Sequence, residues 1–132
     1  MAPMDDDEPV LTEATLEEIY HVVREPGFSA YFLLGAEDEV ETVSDVDAWV
    51  RLPDGSKWTA SMLTLDAVAE VLTRWKATGE HGGGAFFACP DLVIVPEPGV
   101  PAMTAALREI VAEGPRGTLQ PLPDPDAQPS SN

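Results

Sequence analysis

Apolar and polar residues alternate most clearly between Val46 and Met62. Val46, Ala48, Val50 and Leu52 take one set of positions, and Trp58, Ala60 and Met62 continue it after Pro53-Asp54-Gly55. Pro, Asp and Gly in that order read as a tight turn. The turn sets Leu52 near Ser56, Val50 opposite Trp58 and Ala48 opposite Ala60. A slip of one residue would exchange the two faces, so the pattern itself selects the register. Asp47, Trp49, Arg51, Lys57, Thr59 and Ser61 then fall on the second, polar face.

Helical spacing appears in three other stretches. Leu16, Ile19, Tyr20 and Val23 predict a helix over 12–24, capped by Thr12 or Thr15 and stopped by Pro26-Gly27. Leu65, Val68, Leu72 and Trp75 predict a second, capped by Thr64 and ended by Gly79. Val100, Met103, Leu107, Ile110 and Val111 predict a third, over 101–113, with Gly114 as its stop. Phe28–Leu34, 85–89 and 91–95 read as further strands. The expected order is α-β-β-β-α-β-β-α. Such blocks predict an α+β fold, a mostly antiparallel sheet of about five strands with three helices. Residues 1–11 are acidic with two prolines and are expected to form a flexible arm. Residues 115–132 hold five prolines and are expected to form a flexible Pro-rich tail. A single domain over 12–114 remains.

Charge changes the picture of what such a domain can meet. The chain has 132 residues and a formal net charge of −17. The first 50 residues carry 14 acids and one base, Arg24. This balance argues against nucleic acid and anionic membranes as partners. A basic protein fits, because opposite fields speed encounter. The start, Met1-Ala2-Pro3-Met4 and then acids, lacks the pattern of a signal peptide, and a cytoplasmic location is expected.

Candidate chemistry is sparse. One cysteine, Cys89, excludes an internal disulfide. His21, His81, Cys89 and Asp91 match no zinc spacing, so neither a metal nor another cofactor is expected. No nucleophile elbow or phosphate loop is present. The loop Glu80-His81-Gly82-Gly83 reads either as an acid–base or ligand-binding loop or as a bend after a helix stop. The strongest surface feature is the acidic stretch Glu37, Asp38, Glu39, Glu41, Asp45 and Asp47, with Trp49 beside it. Trp49 is either an anchor for a partner or a second-layer core residue under a helix.

Trp58-Thr59-Ala60, Leu63-Thr64-Leu65, Trp75 to Glu80, Gly83, Phe86-Phe87 and Asp91 to Val95 together resemble a group of small uncharacterised bacterial proteins. Their pattern runs strand, helix, Thr-Gly-Glu, glycine pair, aromatic entry and aliphatic strand. It spans about 45–113 and implies no catalytic residues. In size and acidity the chain is also similar to immunity proteins of bacterial toxin systems. That similarity implies a non-enzymatic protein-binding domain, an inhibitor of a basic toxin. The alternatives are a small enzyme or ligand-binding domain using the Glu80–His81 loop, and a soluble regulatory domain.

Overall fold

The computed structural model describes residues 12–122. The expected arm, 1–11, and the last part of the expected tail, 123–132, lie outside the described residues. In chain order the elements are α1 (Glu13–Ile19), β1 (His21–Glu25), β2 (Phe28–Phe32), β3 (Asp45–Arg51) and β4 (Lys57–Thr64). Then come α2 (Leu65–Thr78), a short turn α3 (His81–Gly84), β5 (Leu92–Val95), α4 (Val100–Glu113) and β6 (Gln120–Pro121). The class is α+β. Strands β1 to β4 form an antiparallel meander. The free edge of β4 is shared. β5 runs parallel along Ser61–Thr64, and β6 runs antiparallel along Trp58 and Thr59.

The β3–β4 hairpin has the expected register, with Val50 paired to Trp58 and Ala48 to Ala60. Leu52 N–H donates to the Ser56 carbonyl at 2.9 Å. The Thr64 hydroxyl caps α2 by accepting from Ala67 N–H, and Gly79 closes it in a left-handed conformation.

Four expectations need correction. The first helix ends at Ile19, because Tyr20 turns extended and His21–Glu25 joins the sheet. Val22 and Val23 are β-branched and prefer a pleated surface. Pro26-Gly27 is therefore a hairpin turn rather than a helix stop, and His21 sits on a strand. Residues 85–89 form no strand. Strand and helix numbers accordingly become six and four among the described residues. In α2 the buried residues are Ala67 and Val71, whereas Leu65 is 66% exposed. The helix leaves β4 directly at Thr64, and small Ala67 lets its backbone approach Leu63 closely. Finally, the fold continues past Gly114. Leu119 is buried in the core, and Leu122 N–H donates to the Lys57 carbonyl at 2.8 Å.

One face of the sheet carries Phe28, Ala30, Phe32, Val46, Val50, Trp58, Met62, Val93 and Val95. The helix α4 covers it with Val100, Met103 and Leu107. Among the described residues, the opposite face is covered only at its two ends. At one end α1 buries Leu16 and reaches Tyr31, whose hydroxyl donates to Glu13 at 2.9 Å. Arg24 and Arg51 also donate to the Glu13 carboxylate, at 2.9 and 3.3 Å. At the other end α2 packs Ala67 and Val71 on Leu63, with Trp75, Phe87 and Leu92 around them. Between the two helices the polar face of β3 and β4 stays open.

Candidate functional site

That opening is a cleft of about 430 Å³ lined by Tyr20, Leu33, Asp47, Trp49, Thr59, Ser61, Asp91 and Leu122, with the backbone of Ala48 and Ala60 as floor. Its geometry follows from strand register. Trp49 pairs with Tyr31 on one side and Thr59 on the other. The Trp49 and Tyr31 rings stack with centroids 4.0 Å apart and planes 8° apart. Tyr20, at the end of α1, stands edge-on to both. Trp49 is thus half-buried, one ring face spent on Tyr31. It is packed yet lines an open cleft, so it is neither a fully covered core residue nor a freely exposed one. Lys57 and Arg51 approach its ring, with charged atoms 5.9 and 5.8 Å from the centroid, at cation–π range.

Across Thr59 from Trp49 lies Asp91. The parallel pairing of Ser61 with Leu92 brings the residue before β5 against β4. Thr59 Oγ1 donates to Asp91 Oδ2 at 2.6 Å, and Ser61 Oγ donates to Oδ1 at 2.9 Å. Cys89 Sγ lies 3.1 Å from the same Oδ1 and 3.5 Å from Ser61 Oγ. One thiol hydrogen serves one acceptor, and the shorter contact to the charged oxygen takes it. Burial alone would raise the Asp91 pKa. The bonds from Thr59, Cys89 and Ser61 outweigh it and hold the carboxyl below its usual range. Asp47 lies on the other side of Ser61, with Oδ1 3.4 Å from Ser61 Oγ. Two carboxylates therefore flank one hydroxyl.

The other expected site residues distribute around this cleft. Leu33 N–H donates to the Asp47 carbonyl, so the loop 33–44 leaves from the cleft rim. Glu37, Asp38 and Glu39 are exposed on it, and Asp38 accepts from Gly35 N–H at 2.7 Å. Glu41 lies where the loop is pinned to the start of α4, through Gly99 N–H to the Val43 carbonyl and Val100 N–H to the Val40 carbonyl. Asp45 has a raised pKa, from partial burial first and then from the Asp47 charge, with Arg74 opposing and Asp38 adding. The charges of Asp47 and Asp38 thus both reach Asp45.

The Glu80–His81 loop is separate. The Thr78 hydroxyl donates to Glu80 at 2.9 Å, and the His81 ring packs on Trp75 with centroids 4.1 Å apart. Residues 81–84 all have positive φ. A side chain at Gly84 would collide with the Leu72 carbonyl oxygen, so a glycine is required there. Neither Glu80, His81, Gly82 nor Gly83 lines the cleft. Among the described residues no group of three or more His, Cys, Asp or Glu side chains is placed to hold a metal ion. Of His21, His81, Cys89 and Asp91, Cys89 and Asp91 meet, and no group of three forms among the described residues. Among those residues, too, no helix is long and apolar enough to cross a membrane.

Sequence reasoning placed Thr59, Ser61 and Asp47 on one polar face but did not join them to Asp91 or Cys89. Those two arrive about 30 residues later, and the only available signal was the aliphatic strand that follows them. No family model matches the chain, and no curated protein or solved structure matches it either.

Proposed function

We propose that this chain is a non-enzymatic acidic binding domain whose partner is a basic protein, with the cleft between Trp49 and Asp91 at the centre of the contact. The observation that carries this reading is the pairing of an aromatic wall with two carboxylates on either side of Ser61. An aromatic surface supplies burial energy at the centre of a contact, and the surrounding acids supply steering. Glu37, Asp38, Glu39, Glu41 and Asp45 extend the negative field around it. An inhibitor of a basic toxin, of the immunity-protein kind, is the biological role this chemistry serves best. A carboxylate held below its usual range is a weak base, and the hydroxyls and thiol around Asp91 already donate to it. The cluster is built to keep a charge rather than to pass a proton. The volume also lies in the usual range for small-molecule sites, which favours a cationic small ligand at this same cleft as the second reading.

The test is capture of the native partner by wild type, Trp49→Ala and Asp91→Asn, with identification of what is retained. A basic protein held by wild type and lost by both variants is the expected result. An acidic partner, or a basic one that both variants retain fully, would sink the reading.

A further inference from the structure

Aspartate followed by glycine occurs once in the chain, at Asp54-Gly55 in the turn of the β3–β4 hairpin. Both residues are exposed. This pair carries a chemical hazard. The Gly55 nitrogen can bond to Asp54 Cγ, and glycine has no side chain to obstruct the approach. The hydroxyl of the neutral carboxyl and the hydrogen of the nitrogen leave together as water, which closes a cyclic imide. Water then reopens the imide at either carbonyl. Opening at the Asp54 backbone carbonyl routes the chain through Cγ, an isoaspartyl linkage that lengthens the backbone by one atom. Just beyond the turn Val50 pairs with Trp58, and Trp49 with Thr59. An added backbone atom there disturbs the register that buries Trp58 and sets Trp49 in the cleft.

Hydrogen bonds in the folded turn hold that step off. Gly55 N–H donates to the Leu52 carbonyl at 2.9 Å, which fixes the plane of the attacking nitrogen. Asp54 Oδ1 accepts from Ser56 N–H at 2.9 Å and from Ser56 Oγ–H at 2.7 Å, which fixes the carboxyl. Rotation of either group breaks at least one of these bonds. The Ser56 hydroxyl is itself held, because it accepts from the Trp58 indole N–H at 3.1 Å. The carboxyl lies below its usual range, through the Ser56 hydroxyl first, then Ser56 N–H and the Asp54 backbone, despite some desolvation. The neutral acid that can lose water is therefore scarce. We propose that Asp54-Gly55 is an isomerisation site of this chain and that Ser56 is the residue that holds it closed in the folded hairpin. Loss of the hydroxyl bond opens the route to the isoaspartyl linkage while the sheet stays folded.

The experiment ages the full chain at neutral pH and constant temperature. Trypsin then releases the peptide 52–57, whose aspartyl and isoaspartyl forms are separated by chromatography and told apart by electron-transfer fragmentation. Wild type in urea, with the turn's bonds gone, should isomerise at least about tenfold faster than folded wild type. Folded Ser56→Ala should isomerise about tenfold faster than wild type, the value of one hydrogen bond to a charged group. Ser56→Thr keeps the hydroxyl and should age like wild type. Trp58→Phe loosens the core but leaves both Ser56 donations, so it too should age like wild type. If Ser56→Ala does not fold, Ser56→Cys replaces it, since a thiol keeps the shape and donates poorly. It should also isomerise faster than wild type. Folded wild type as fast as wild type in urea overturns the inference, as does a folded Ser56→Ala, or Ser56→Cys in its place, no faster than wild type. Equal acceleration in Trp58→Phe overturns it too, because loosening of the core would then set the rate.

Discussion

On one face of the sheet α4 lies across Phe32, Val50, Met62 and Val95 and seals them. On the other, α1 and α2 sit at the two ends, and the strip holding Trp49, Thr59 and Ser61 stays open. Strands present both faces with the same backbone, so the contrast lies in the side chains. Apolar residues on the sealed face have no use except burial. The open face combines aromatic rings already half-packed with hydroxyls and carboxylates that satisfy one another only in part. A face that is neither dry enough to be core nor polar enough to be plain surface is where binding is expected.

The largest test of this contrast is Trp58→Ala. Trp58 is 8% exposed on the sealed face, and its indole N–H reaches Ser56 Oγ at 3.1 Å. The loss expected is about 3–5 kcal/mol, measured by urea unfolding. A loss well under about 1 kcal/mol would mean that the α4 face is not the stabilising one. Leu119→Ala comes next, at about 2–5 kcal/mol, because Leu119 is 1% exposed within the same core. A neutral result there would show that the segment after Gly114 is not part of the cooperative unit.

Leu119 also shows where the sequence could not be read. Five prolines in 18 residues signal a tail, yet one leucine among them completes the core and β6 uses two residues of edge. A single buried side chain leaves no periodicity. His21–Glu25 failed differently. Leu16, Ile19, Tyr20 and Val23 satisfy helical spacing, but Val22 and Val23 satisfy strand preference too, and only pairing with Phe28–Phe32 decides between them. The β3–β4 hairpin was legible because alternation, turn residues and register all agreed. So were the ends of α2, where a threonine cap and a left-handed glycine mark the boundaries. At the candidate site, the half that comes from that hairpin was visible. The Asp91–Cys89 half depends on a parallel crossover, and no local pattern says which acid it delivers.

Between the extremes stands the α1 end of the open face. Tyr31 is fully buried there, and its hydroxyl pKa is raised, first by burial and then by the Glu13 carboxylate that accepts its hydrogen. Tyr31→Phe removes that one bond and keeps the stack on Trp49. About 1 kcal/mol is expected in urea unfolding, with the fluorescence of Trp49 little changed. A much larger loss would mean that α1 detaches when the bond is gone, and then the cleft wall at Tyr20 depends on Glu13 as well.

A similarly small effect on stability is expected at Asp91, and its pH dependence is what distinguishes it. Asp91→Asn removes a charge that three donors face, but the group is only half-buried and water can stand in for part of what is lost. About 1 kcal/mol at neutral pH is expected. The folded pKa of Asp91 is lowered, so its stabilising contribution is complete above the ordinary aspartate range of about 3.9 and is lost as pH falls through the folded value. The gap between wild type and Asp91→Asn should therefore stay constant from neutral pH down to that range and close below it. If burial governed this site instead, the folded pKa would be raised and ionisation would cost stability. Wild type would then gain on the variant as acid protonated the group, and that gain would begin above the ordinary range. Urea midpoints of both proteins across an acid series separate the two cases. A gap that closes only in strong acid would leave Asp91 charged over the whole range in which a basic partner could approach it.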